Sequence, residues 1–360
     1  MDDESRHFRI RGRGARSNHE GRFERHRREV IDDGWAHEDE EPLPVLRTHT
    51  AIEVPRRLIT YNRSPDLPFD RSINPYRGCE HGCVYCFARS THAYLGLSPG
   101  LDFETRLIAR PQAAEVLRRE LANKRYRVAP IAIGTNTDPY QPVEKDFAIM
   151  RECLNVLEEA GHPTAIVTKG SLIERDIDIL ARMARRGLIR VGISVTTLDA
   201  KLSRLMEPRA PSPARRLQTI RRLAEAGIPV RVMASPMIPA LTDPELEKIL
   251  EAGRDAGARH ASWIMLRLPL EVSPLVQEWL AAHFPDRASR IVSRLREMHG
   301  GKEYDSRWHR RMRGEGPYAE MIARRFDIAM KRLGLATAAT PMRSDLFRPP
   351  ILPGAQLSLL

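Results

Sequence analysis

The chain has 360 residues, with 58 Lys and Arg against 47 Asp and Glu, a formal net charge of +11, and four cysteines. That length can bury a sizeable core, and a hydrophobic content of 42% suits a globular protein. No run reaches the roughly 18 apolar residues of a membrane span, the first residues lack the apolar stretch of a secretory signal, and the cysteines are too few for a disulfide framework, so a cytoplasmic protein is expected.

Residues 1–44 mix Arg6, Arg9, Arg11, Arg13 and Arg16 with an acidic end at Glu38-Asp39-Glu40-Glu41. No apolar period holds a face together there, so a disordered charged tail is expected. From residue 72 short apolar runs alternate with amphipathic stretches. The runs are 72–77, 130–134, 164–168, 189–195, 230–234 and 261–266, and they read as buried parallel strands. Helical periodicity fills 111–123, 145–160, 172–186, 212–226 and 243–255. Ser212-Pro213 and Thr242-Asp243-Pro244 put a capping residue before a first-turn proline, and Gly161, Gly187, Gly227 and Gly257 sit where left-handed C-caps fall. Six strands with five crossover helices predict an α/β fold, either a (β/α) barrel or a doubly wound sheet, with chemistry at the C-terminal strand ends. Residues 45–270 would form this core, 271–335 a basic helical extension and 336–360 an irregular tail.

Three of the four cysteines fall within eight residues, in Cys79-Glu80-His81-Gly82-Cys83-Val84-Tyr85-Cys86, directly after the first strand. Structural zinc wants four ligands, usually as two separate pairs, and a simple electron-carrying [4Fe–4S] site wants four cysteines. Three thiolates leave one metal position open, which is the mark of a catalytic site. His81 as a fourth ligand would crowd the loop. Cys153 sits on the apolar face of the 145–160 helix with Ile149 and Leu157, and is expected in the core.

The C-x3-C-x-aromatic-C pattern, with Tyr85 in the aromatic slot, resembles the signature of the radical S-adenosylmethionine (SAM) superfamily. Asn74-Pro75-Tyr76-Arg77-Gly78-Cys79, Gly134-Thr135-Asn136-Thr137-Asp138-Pro139-Tyr140-Gln141-Pro142 and Met206-Glu207-Pro208-Arg209 narrow the resemblance to bacterial members related to spore photoproduct lyase, often labelled DNA repair photolyase-like. It extends from about residue 45 to 335 and includes Tyr304-Asp305-Ser306-Arg307.

The resemblance implies a partial (β/α)6 barrel and a [4Fe–4S] cluster on Cys79, Cys83 and Cys86. It implies SAM chelated at the open iron and split, after one-electron reduction by a flavodoxin- or ferredoxin-like donor, to a 5′-deoxyadenosyl radical. It places Tyr85 beside the adenine and Phe87 by the cluster. Thr135, Asn136, Thr137 and Asp138 would meet the SAM ammonium, Lys169 its carboxylate, and Ser194 and Thr196 the ribose or carboxylate. Ala234 would admit the adenine closely. Glu207 and Arg209 read as a pair that fixes their loop or as contacts to cofactor or substrate, and Arg267 as an ion-pair member or an anchor for an anionic substrate. The lyase uses a cysteine hydrogen donor where Asn136 stands here, which argues against spore photoproduct repair itself.

The basic excess comprises 51 Arg and 7 Lys, and residues 287–332 hold 13 of these against 6 acidic residues. That block and the resemblance make nucleic acid the leading substrate class. A protein or small metabolite is the alternative, and a non-catalytic metal-binding module is the reading of another kind.

Overall fold

The six apolar runs form six parallel strands. The computed structural model describes residues 12–24, 45–337 and 340–352. Its strands are β1 (His49–Ile52), β2 (Thr60–Tyr61), β3 (Arg71–Ile73), β4 (Tyr76–Arg77), β5 (Arg106–Ala109), β6 (Ile131–Ile133), β7 (Thr164–Thr168), β8 (Ile189–Ser194), β9 (Val230–Met237) and β10 (His260–Met265). The main sheet runs β10-β9-β8-β7-β6-β3-β2. From β3 to β10 every pairing is parallel and sequential, and antiparallel β2 closes the far edge. The result is an open, partial (β/α)6 barrel. The stretch expected as one strand over 72–77 divides at Asn74-Pro75, because proline offers no N–H to a ladder. Beyond it, β4 leaves the barrel and joins β5 and β1 in a small separate sheet.

The helices are α1 (Asp102–Thr105), α2 (Ala113–Leu121), α3 (Glu144–Phe147), α4 (Ile149–Glu159), α5 (Ile177–Arg185), α6 (Ala200–Met206), α7 (Pro213–Glu225), α8 (Leu246–Asp255), α9 (Val272–His283), α10 (Pro285–Met298) and α11 (Pro317–Leu333). The helix expected at 145–160 breaks at Ala148, which has φ 52°. The break lets the buried Glu144 carboxylate accept from the Met150 amide at 3.0 Å and cap α4. The helix expected at 172–186 starts as a 3-10 turn over Ser171–Asp176. Beyond β10 the helical extension divides into α9 and α10 at Pro285. Gly161, Gly187, Gly227 and Gly257 all take positive φ. Ser212 caps α7 as expected. Thr242 does not cap; its hydroxyl accepts from the Ile238 amide instead. Cys153 is fully buried on α4.

The C-terminal additions cover the open edge of β10. The Met265 amide donates to the Met312 carbonyl at 2.9 Å and the Ala261 amide to the Ala336 carbonyl at 3.2 Å. An exposed edge strand would otherwise template pairing with another chain. Residues 340–352 carry no regular element and run past the ends of α4 and α5, where the Arg348 and Arg343 amides meet the Ala160 and Gly187 carbonyls.

The tail expected over 1–44 holds a docked segment at 12–24; Arg6, Arg9, Arg11 and the acidic stretch 38–41 lie outside the described residues. The docking is largely polar, with Ala15 buried against Leu101 and Leu275. The Gly14 and Ala15 amides donate to the Glu104 carboxylate at 2.9 and 2.8 Å. The Arg13 guanidinium reaches the Glu104 carbonyl and Thr48, and Arg22 pairs with Glu271 at 2.7 Å. Gly14 lies so close to the cysteine loop that an added Cβ would fall 1.8 Å from the Gly82 carbonyl oxygen. Gly14→Val should therefore release the segment. Limited proteolysis is expected to cleave the variant within residues 12–24 under conditions where the parent is spared; equal resistance would contradict the docking.

Candidate active site

The cysteine loop follows β4 and is held from three sides. Below it, Arg89 and Glu104 form an ion pair with both side chains fully buried. Arg89 Nε donates to the Cys83 carbonyl at 2.8 Å, and the rest of its fork reaches Glu104 and the Pro99 and Gly100 carbonyls. Gly82 has φ 66°, and a Cβ there would meet the Glu104 carboxylate at 2.6 Å. From the β6 side, buried Gln141 donates to the Gly78 carbonyl at 3.2 Å and accepts from the Glu80 amide at 2.8 Å. From the α6 side, the Val84 amide meets the Met206 carbonyl at 3.0 Å.

The three cysteines share one cavity of about 900 Å³ at the C-terminal ends of the barrel strands. Tyr85, Phe87, Thr135, Asn136, Asp138, Lys169 and Ser194 line it with them. Thr137, Thr196 and Ala234 are placed elsewhere. Thr137 turns back to donate to the Tyr76 carbonyl at 3.0 Å. Strand β8 ends at Ser194, so strict alternation does not carry Thr196 to the same face; its hydroxyl donates to Glu207 at 2.6 Å beneath the loop. Strand β9 continues to Met237, so Ala234 faces the core while Met233 and Ser235 on either side line the cavity. Sequence reading also missed Val167, Met265 and Leu266, whose apolar side chains give no chemical signal.

Asp138 acts as a latch. One oxygen accepts from Thr168 Oγ1 at 2.5 Å and the Tyr140 amide at 2.9 Å; the other accepts from the Lys169 amide at 2.7 Å and faces His81 Nδ1 at 3.3 Å. A carboxylate has about four lone-pair sites, and its own chain supplies hydrogen-bond donors to three of them. Burial pushes its acidity down, but His81, the Lys169 amide and Thr168 outweigh burial and hold it well below the usual carboxylate range. The four contacts tie the end of β6 to the end of β7 and, through His81, to the cysteine loop.

Glu207 plays the matching part on the other wall. Its carboxylate accepts from Tyr85, Thr196 and the fully buried Arg216. The pair read from sequence as Glu207–Arg209 is two pairs: Glu207 with Arg216, and Arg209 with Glu80 at 3.1 Å. Against the cost of burial, Arg216 and Lys169 bring the Glu207 carboxyl down to about 2. Lys169 has its ammonium 5.7 Å from the Tyr85 ring centre. Burial lowers its basicity, but Cys83 and Glu207 raise it further, so it stays a cation. Arg267 faces the cavity from the end of β10 with its guanidinium 4.2 Å over the Phe87 ring, and no carboxylate pairs with it among the described residues.

Burial pushes the Cys79 thiol up, and pushes Cys83 up to about 12 against the pull of Lys169. Such thiols stay protonated until a bound cation takes the proton's place. Among the described residues no three His, Cys, Asp or Glu side chains gather as ligands for a single ion. Three thiols spread around one cavity, with no fourth beside them, fit a larger cluster with one free position and do not fit a four-ligand zinc site.

The sequence pattern of the Radical SAM superfamily matches residues 73–253. The chain belongs to the radical SAM superfamily. Members of the superfamily use a [4Fe–4S] cluster and SAM, and membership implies an enzyme. An uncharacterised protein of Mycobacterium tuberculosis is 39% identical over 235 residues, 65% of this chain and 68% of its own. An uncharacterised protein of Methanocaldococcus jannaschii is 28% identical over 173 residues, 48% of this chain and 62% of its own. Among solved structures, spore photoproduct lyase complexed with dinucleoside spore photoproduct is similar with a TM-score of 0.55 and 14% identity, over 80% of this chain and 81% of that one. At that identity the likeness shows the fold. No described helix is long and apolar enough to cross a membrane.

Replacing Glu207 by Gln leaves Arg216 buried without its counter-charge, which typically costs 3–5 kcal/mol. The folded carboxyl titrates below its ordinary value of 4.5, so its contribution is full above 4.5 and fades as pH falls toward about 2. In denaturant titrations of the metal-free protein, the deficit of Glu207→Gln should be largest near neutral pH and shrink across that window. A deficit that does not change with pH would contradict the assignment.

Proposed function

We propose that Cys79, Cys83 and Cys86 hold a [4Fe–4S] cluster, that SAM occupies the adjoining cavity, and that the enzyme acts on a nucleic-acid-derived substrate. The observation that carries this reading is the sharing of one cavity by three thiols, a lysine cation and the polar strand ends Thr135, Asn136 and Ser194. When bound, the reduced cluster and SAM supply one-electron cleavage of a carbon–sulfur bond and a radical able to abstract hydrogen.

The chain's own residues bind and orient. Lys169 offers a fixed positive charge for the carboxylate of SAM, set against Tyr85, whose hydroxyl is tied down by Glu207. Thr135, Asn136 and the Asp138 carboxylate, all on the cavity wall, offer hydrogen-bonding groups for its ammonium. Val167, Met265 and Leu266 present apolar surface that excludes water from the cavity. The electron comes from an external flavodoxin- or ferredoxin-like donor. A nucleic-acid substrate is supported by spore photoproduct lyase, which shares the fold and has been solved with bound AdoMet and a dinucleoside spore photoproduct. The basic block 287–332 gives weaker support than its composition suggests. Arg294, Arg296, Arg307, Arg310, Arg311 and Arg325 are all paired with carboxylates.

Anaerobic reconstitution should give a brown protein with about four irons per chain. Cys79→Ala, Cys83→Ala or Cys86→Ala should each fail to hold it, while Cys153→Ala, a core change, should retain it. A colourless protein with stoichiometric zinc would overturn the reading. With deuterated oligonucleotides, deuterium is expected in the 5′-deoxyadenosine formed; none from either DNA or RNA would overturn the substrate class.

A further inference from the structure

A second cleft, of about 1020 Å³, lies at the other end of the barrel strands. Its walls come from the segment before β2, from β2, from α2 and from the loop that leads into β6. Tyr61 of β2 pairs with Arg71 at the first residue of β3, and Tyr126 precedes β6, so the cleft opens at the N-terminal rim, away from the cysteines.

Four arginines line it: Arg56, Arg57, Arg119 and Arg125. All four are exposed, and among the described residues no carboxylate forms an ion pair with any of them. Arg118, the neighbour of Arg119 on α2, is by contrast paired with Glu159. The one acidic residue of the cleft, Glu120, accepts from the Leu58 and Ile59 amides, both at 2.9 Å, and so holds the wall in place. Lys124 and Arg127 flank the same loop and are exposed.

The aromatic groups complete the pattern. The Arg71 guanidinium, itself held by Asp70, lies 5.2 Å from the Tyr61 ring centre and 5.4 Å from that of Tyr126. It fixes the two rings, and Tyr61 remains 61% exposed. Guanidinium groups that bind phosphate bidentately, set beside an exposed ring, are the chemistry of single-stranded nucleic-acid binding: charge tracks the backbone and the ring stacks a base. A free phosphate ion would leave most of the cleft empty and the ring unused.

We propose that this cleft is a binding site for single-stranded nucleic acid, remote from the catalytic cavity, with backbone phosphates on Arg56, Arg57, Arg119 and Arg125 and a base stacked on Tyr61. It rests on the charge and ring geometry of this rim and not on the identity of the substrate in the cavity.

The test is fluorescence anisotropy of the full chain with labelled oligo(dT) of ~15 nucleotides, within the site sizes of single-strand binders, across a salt series. The R56Q/R57Q/R119Q/R125Q variant should bind at least tenfold more weakly, and the log–log salt slope should flatten by about 3, as expected for four lost phosphate contacts on a single strand. Tyr61→Ala should weaken binding roughly fivefold, the effect of one lost base stack. Unchanged circular dichroism would show that both variants are folded. Millimolar inorganic phosphate should not displace the oligonucleotide. Parent-like binding by the quadruple variant, displacement by phosphate, or loss of binding only on Arg287→Gln and Arg290→Gln or on removal of residues 1–11 would each overturn the proposal. SAM cleavage by the quadruple variant should equal that of the parent. Failure of the site and failure of the catalytic reading are thus told apart.

Discussion

The ion pair between Arg89 and Glu104 holds the cysteine loop, and the rest of the site depends on that loop. Both groups are fully buried, so each would be costly alone. Together they are saturated: Arg89 takes the Cys83, Pro99 and Gly100 carbonyls, and Glu104 takes the Gly14 and Ala15 amides. A loop carrying three thiols has little apolar content with which to fold itself. The buried pair supplies a rigid floor and joins the loop, α1 and the N-terminal segment into one unit.

Two further buried carboxylates repeat the device on the walls of the cavity. Asp138 joins the ends of β6 and β7 to His81, and Glu207 joins Tyr85, Thr196 and Arg216. Both stay ionised because cations or hydrogen-bond donors outweigh burial. Among the described residues, the groups left uncommitted toward the cavity include the three thiols, Lys169, Arg267, Ser235 and the polar ends of β6 and β8. The two carboxylates thus fix the walls of the cavity to each other and to the cysteine loop.

Much of this was legible in the sequence, for local reasons. The parallel strands are contiguous apolar runs, the helices carry their own caps and terminal glycines, and the cysteine spacing lies within eight residues. What was not legible depends on pairing at a distance. Nothing local marks Arg89 and Glu104 as partners, or Gln141 as a brace for Gly78. The segment 12–24 looked like a tail because most of its contacts are amides and guanidinium groups, with only Ala15 and Phe23 making apolar contacts and no periodic apolar face. Thr196 and Ala234 were misplaced because the point where a strand ends decides which face the next side chain takes, and β8 stops at Ser194 while β9 runs on to Met237. In the basic block 287–332, charge counts do not reveal that Arg294, Arg296, Arg307, Arg310, Arg311 and Arg325 are paired with carboxylates.

On the proposed reading, three thiols in this cavity leave one metal position open to SAM. Electron paramagnetic resonance of the reduced, reconstituted protein, recorded with and without SAM, tests it most directly. A [4Fe–4S] signal whose g values and line shape change on addition of SAM is the predicted result. A signal unaltered by saturating SAM, or no cluster signal at all, would contradict it.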